Sequence, residues 1–127
     1  MKTQGTQVIT SSDTATVDKL IYYTSPEINI GYGPAEKLQV ILPGEKEEPG
    51  SDDGKGGTLD NWTAGVAEIV KVNLVDQYYN INPTDPQPVV QLSCNTEPNF
   101  EVVPSTAKLS AGTYNFTATL YKASTHT

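Results

Sequence analysis

The chain has 127 residues and a net charge of −7, long enough for one domain with its own core, and all eight of its basic residues are lysines. The lack of arginine argues against a nucleic-acid binder, which gathers Arg and Lys on one face to neutralise phosphates. One cysteine, Cys94, excludes an internal disulfide; no run reaches the roughly 18 apolar residues of a membrane span, and the opening MKTQGTQVIT lacks the apolar centre of a signal peptide.

In chain order, strands are predicted over residues 6–10, 19–24, 26–33, 36–42, 67–75, 88–94, 99–103 and 113–121. Clusters of Pro, Gly, Asn, Asp and Ser separate them, such as LPGEKEEPGSDDGKGG and NPTDPQP. No stretch keeps a 3.6-residue period, so the fold class is all-β, a sandwich or a barrel. In the last strand Tyr114, Phe116, Ala118 and Leu120 alternate with Asn115, Thr117, Thr119 and Tyr121. That alternation predicts that Phe116 and Leu120 lie between two sheets with Val72, Leu74, Val90 and Leu92. Cys94 falls on the side of Val90 and Leu92 and reads as a small core residue. Only Thr125, His126 and Thr127 follow a possible turn at Ala123 and Ser124, so no return strand pairs with 113–121. A hydrophobic groove and a bare edge are therefore expected along Thr113 to Tyr121, with Thr113, Asn115, Thr117, Thr119 and Tyr121 open to a partner strand.

Little here points to catalysis. The one histidine, His126, is penultimate and has no evident nucleophile beside it, and one His with one Cys cannot build a zinc site. The chain is therefore read as a non-enzyme without a cofactor, Ca²⁺ being the one ion worth considering. Residues 44–60 carry six acidic and two basic side chains. Glu45, Asp52 and Asp53 in that segment, with Asp13 and Asp76 at strand ends, are the candidate calcium ligands, since hard cations take oxygen donors. The alternate-carboxylate spacing of a calcium loop is absent, and the competing readings are a solvated loop and turn capping. Asn61 and Asn115 open N-x-Thr sequons and are expected to face solvent. Tyr22 and Tyr23, and Tyr78 and Tyr79, form adjacent pairs, of which one ring each is expected in the core.

The run AEKLQVILPGEKEEPGSDDGKGGTLDNWTAGVAEIVKVNLVDQYYNINP, followed by LSAGTYNFTATLYKAS, resembles the tandem immunoglobulin-like repeats of bacterial extracellular and cell-surface proteins. The likeness rests on the order of the phrases, with Thr63-Ala64-Gly65 leading into the strand Val70 to Asn80. The Tyr in LSAGTY also sits much as the corner tyrosine of immunoglobulin-like domains does. In such repeats the phrase corresponding to KTQGTQVITSSD forms the final strand of a domain. The resemblance therefore implies an immunoglobulin-like β-sandwich over 15–127 and a separate strand segment over 1–14, in which Thr6, Gln7, Val8, Ile9 and Thr10 pair with the last strand of a neighbouring copy, the rival being that they fold back onto their own domain. It implies a structural subunit or repeat of an extracellular filament or cell-surface stalk, joined head to tail by β-strand complementation into a homopolymer. The alternatives are an adhesin or carbohydrate-binding module with a glycan or host-surface ligand, and a phage or virion surface protein.

Overall fold

The computed structural model describes every residue from Met1 to Thr127 and contains no helix. Twelve strands follow one another: β1 (Gly5–Gln7), β2 (Thr10–Ser11), β3 (Tyr23–Thr24), β4 (Ile28–Ile30), β5 (Lys37–Ile41), β6 (Glu45–Glu47), β7 (Lys55–Gly57), β8 (Ala67–Val75), β9 (Val89–Val90), β10 (Glu101–Val103), β11 (Ala107–Lys108) and β12 (Thr113–Thr119). The chain is all-β, built from several antiparallel sheets.

The largest sheet has the order β10-β12-β8-β5. Its longest strand, AEIVKVNLV, is rich in β-branched residues that suit a pleated, half-buried surface. Residues directly opposite one another share a face, so the register fixes the layers. Phe116 faces Val70, Tyr114 faces Val72, Leu38 faces Leu74, and Ala118 lies between Glu68 and Val102. These side chains form the core face. Val72, Leu74 and Phe116 are buried there against Val90, Ala107 and Leu109, which come from the segments around the two-stranded sheet β9-β11. Each large apolar side chain so buried contributes about 1.5–3 kcal/mol. The expected core is therefore found in Phe116, Val72, Leu74 and Val90, whereas Leu120, Leu92 and Cys94 are only half-buried. The second layer ends before it covers them, because β9 and β11 hold two residues each.

The opposite face of the same sheet carries a buried polar pair beside the buried Ile41 and Val75. Gln39 and Asn73, paired across β5 and β8, are buried beneath a hairpin made by β6 and β7. The Gln39 amide donates to the Gly54 carbonyl (2.8 Å), Asn73 donates to Gln39 Oε1 (3.2 Å), and Thr113 donates to Asn73 Oδ1 (2.9 Å). Lys55 pairs with Glu45 (2.9 Å), and Lys71 reaches Glu47 (2.5 Å) from the sheet below. The acidic segment is thus a packed hairpin and not a solvated loop. Its buried polar groups are satisfied one by one, which is what makes burying them tolerable.

Two further expectations are corrected. β12 is an interior strand, paired with β8 over its whole length and with β10 over Thr117–Thr119. Thr117 and Thr119 therefore offer no bare edge, whereas Thr113 and Asn115 lie beyond the reach of β10 and are paired on the β8 side alone; Tyr121, beyond the strand, donates its hydroxyl to Glu101. Alternation reports which face a side chain takes and says nothing about which strand lies alongside. The N-terminal strands, in turn, pair within the chain: β1 with β4, and β2 with β3. The segment set apart by the structure is a hairpin arm over residues 5–30, longer than the expected 1–14.

An N-terminal arm and an open apolar groove

The arm leaves the body at one end of the main sheet. Glu36 donates its N–H to the Val75 carbonyl (2.9 Å) at the last residue of β8, and Asp76 and Asn80 in the following turn hold both ends of the arm. Asp76 is 2% exposed, and its carboxylate accepts the N–H groups of Gly33 (2.8 Å), Tyr78 (2.8 Å) and Asn80 (3.0 Å) and the Asn80 amide (2.9 Å). Burial alone would raise its pKa. The hydrogen bonds from the Asn80 side chain and from the Gly33, Asn80 and Tyr78 N–H groups outweigh that and hold the carboxyl below its ordinary range. Asn80 in turn clamps the main chain of the first residues. Its amide donates to the Lys2 carbonyl (2.8 Å) while its oxygen accepts the Gln4 N–H (2.8 Å).

Beyond this clamp the arm's strands pair only with each other. Thr6 and Asn29 are hydrogen-bonded side chain to side chain (3.1 Å), as are Thr10 and Thr24 (2.9 Å). At the tip, Asp13 accepts the N–H groups of Ala15 (2.8 Å) and Leu20 (3.0 Å), which closes residues 13–20 into a loop and lowers the pKa of its carboxyl. Val8, Ile9, Val17, Leu20, Ile21, Tyr22 and Tyr23 are all exposed, Ile21 by 96%. Both tyrosines of the first pair thus lie outside any core, contrary to the expectation of one ring in and one out. In the second pair Tyr79 is held down, with the Lys37 ammonium 3.5 Å from its ring centre.

At the other end of the sheet the core face is open. A groove of about 690 Å³ runs past Val40, Leu42, Trp62, Val70, Leu92 and Leu120. Asp60 and Lys122 stand on its rim, and Cys94, half-buried, lines its wall. The groove's far side is the segment 122–127, tied to 95–97 by three main-chain N–H groups: Lys122 N–H to Glu97 (2.7 Å), Asn95 N–H to the Thr127 carbonyl (2.9 Å) and Thr127 N–H to Thr96 Oγ1 (3.1 Å). His126 belongs to the same tie, against Thr96 (3.1 Å) and the Lys122 carbonyl (2.6 Å). A hydrophobic groove was expected along Thr113 to Tyr121, where a final strand is missing; the one found touches that segment only at Leu120, and its course past Val40, Leu42 and Trp62 was unforeseen. Its one signal was the pair Val40 and Leu42 continuing the apolar alternation past the point where the opposite layer stops.

The five carboxylates considered for calcium are spread over the molecule. Asp13 is in the arm tip, Asp76 in the turn at the arm's base, and Glu45 is occupied by Lys55 and the Leu42 N–H (2.9 Å). Asp53 caps the Lys55 N–H (3.1 Å) and Asp52 is exposed beside it. No three acidic, His or Cys side chains converge into a group able to hold a metal ion. Asn61 and Asn115 are exposed. The chain matches no protein-family model, no curated protein and no solved structure.

Proposed function

We propose that the chain is an immunoglobulin-like structural subunit or repeat of an extracellular filament or cell-surface stalk, whose copies join head to tail by β-strand complementation. One observation carries this reading: the molecule has two unfinished parts, and they are separate. The arm is rooted beside Val75, whereas the groove runs from Val40, opposite Val72, past Val70 to Leu120, which follows the residue paired with Ala67 at the far end of β8. A two-stranded ribbon alone is marginal in water and gains from packing against another surface. A groove in the core face gains equally from being filled. A molecule with such ends joins copies by a heterologous contact that does not close on itself, and the product is an open polymer.

The immunoglobulin-like part of the reading is supported by strand order. Taken in chain order, the four strands of the main sheet stand as first, second, fourth and third across it, the A-B-E-D order of one immunoglobulin sheet. β9 then takes the place of strand C in the opposite layer, and the groove falls where strands F and G would lie. Thr6 to Thr10 are paired within the arm, so in this reading the arm as a whole takes the donor's part, while the acceptor moves from the edge of β12 to the groove.

Electron microscopy of the purified full chain, with its size distribution in detergent before and after boiling, tests the proposal. Filaments or a ladder of oligomers that boiling collapses are expected. A chain that stays monomeric at high concentration overturns it.

A further inference from the structure

The head-to-tail reading leaves open which part of the arm meets which part of the groove. Resting on that reading, we infer that the arm tip of one copy, Val17 to Tyr23, seats in the groove of the next, with Ile21 and its neighbours packed against Trp62, Leu92 and Cys94.

Three features of the molecule argue for this pair of surfaces. The first is area. The apolar side chains exposed on the arm are eight, from Val8 to Ile28, and together they present a surface on the order of the ~800 Å² per partner that a stable interface buries. The largest of them are gathered at the tip, where Ile21 is almost wholly in water. The groove, at about 690 Å³, lies within the roughly 300–1,000 Å³ of sites that enclose a sizeable ligand, so it has room for several large side chains. The second is charge. The tip carries Asp18 and Lys19 side by side, and the groove rim carries Lys122 and Asp60, so each tip charge meets an opposite one. The third is shape held in advance. Asp13 fixes the tip loop by accepting two of its N–H groups, and the ties of Lys122 and Thr127 fix the groove's far wall, so little ordering remains to be done on contact.

The arm is rooted beside Val75 and its strands pair only with each other, with no pairing to the sheet that carries the groove. The occupant is therefore a second copy of this chain. Strands β1 and β4 remain paired in this arrangement, and the arm acts as a preformed plug.

The chain's single cysteine and single tryptophan both line the groove, which makes the contact directly testable. In the full chain, Ile21→Cys places one thiol on the tip to meet Cys94 of the next copy, and the exposure of Ile21 keeps folding out of the question. Under mild oxidation a ladder of dimers, trimers and longer species is expected on a non-reducing gel, collapsing on reduction and limited to dimers when Cys94→Ser is added. A disulfide requires the two Cα atoms within about 7 Å, so the ladder reports the seating itself. In parallel, the Trp62 emission of the unmodified chain is expected to shift to shorter wavelength as concentration rises. Ile21→Asp should move that transition to roughly tenfold higher concentration or more. Filaments without a ladder and without a Trp62 shift overturn the tip-in-groove contact and leave the head-to-tail reading standing. A cross-link that runs as a monomer shows the tip folded into its own groove, and a ladder cut off at dimers with Cys94 present shows tip against tip; both overturn the inference. A chain with neither filaments nor ladder overturns both readings together.

Discussion

Val40 lies directly opposite Val72 across the β5–β8 ladder, on the same face of the sheet, yet Val72 is 2% exposed and Val40 is 37% exposed. The two residues are chemically identical and one strand apart. What separates them is the reach of the second layer, which covers β8 and β12 with Val90, Ala107 and Leu109 and stops short of β5. The main sheet therefore carries its apolar face further than the molecule covers it.

The pair yields a first prediction. Val72→Ala should cost about 2 kcal/mol in urea unfolding of the monomer, since it removes buried apolar atoms and leaves a cavity. Val40→Ala should cost well under half of that at low concentration. Equal costs at the two positions would mean that β5 is covered in solution.

Phe116 supplies the second. It is 0% exposed, stacks at a tilt on Tyr114 with ring centres 5.0 Å apart, and joins β12 to the β9–β11 layer through Val90 and Leu109. Phe116→Ala should lower stability by about 3–5 kcal/mol without changing the far-ultraviolet signature of the remaining folded fraction. A loss below about 1 kcal/mol would place this strand at the surface.

The inner strands were readable because their chemistry is local. Ala67–Val75 was expected over those same residues, and Thr113–Thr119 within two residues of its end, since the first is rich in β-branched residues and stops at Asp76 and the second alternates cleanly after Gly112. The β6–β7 hairpin was not readable, because Glu45 to Gly57 alternates acid with lysine and glycine and looks like a solvated turn. Its partner is a buried polar pair, Gln39 and Asn73, whose amides give no apolar signal. The strand 88–94 shrank to Val89–Val90 because Leu92 and Cys94 continue its pattern into a place where no neighbouring strand exists to pair with them. A groove was expected along Thr113–Tyr121, but its course past Val40, Leu42 and Trp62 was invisible for a related reason. An open space is a property of how far two layers overlap, and neither layer records the other's length. The edge predicted for Thr113–Tyr121 failed over Thr117–Thr119 because β10 reaches β12 there, a long-range pairing without a mark in either strand.

Asp76 makes the turn at the arm's base pH-sensitive. Burial pushes its carboxyl up, but the Asn80 amide and three N–H groups pull it below the unfolded value of about 3.9. A carboxyl whose folded pKa is depressed adds stability that is fully present above the unfolded pKa and is lost as pH falls through the folded one. The denaturant midpoint should therefore hold steady from neutral pH to about 5 and fall below about pH 4. Asp76→Asn should be less stable at pH 7 and show a shallower fall in acid, the remaining slope coming from Asp13, Glu47 and Glu97, whose carboxyls are also held low. An unchanged slope in the variant would remove Asp76 from the linkage. Hydrogen exchange at Gln4 should rise in the same variant, because the Asn80 clamp on Lys2 and Gln4 is oriented by Asp76.

Two glycines separate backbone strain from packing in the acidic hairpin. Gly54 has φ +73° and lies under the Tyr79 ring, where an added Cβ would fall 2.1 Å from Tyr79 Cγ. Gly65 has a similar φ of +80° but nothing within 4 Å of the same atom. Alanine at Gly65 pays only for the left-handed backbone, about 1 kcal/mol. Alanine at Gly54 pays that and must also push Tyr79 aside, a ring held by the Lys37 ammonium and followed directly by Asn80, for a further 1–3 kcal/mol or so. Displacing Tyr79 also pulls the Gly54 carbonyl off Gln39, which leaves a buried amide without its acceptor. Thermal unfolding of the two variants should therefore differ by several degrees, with Gly54→Ala the weaker. Exchange at the Lys55 and Glu48 N–H groups should quicken in Gly54→Ala alone, since those groups are bonded within the hairpin, to Asp53 and to the Gly54 carbonyl. Equal losses at the two glycines would mean that the hairpin stands off the sheet and that Gln39 and Asn73 face water.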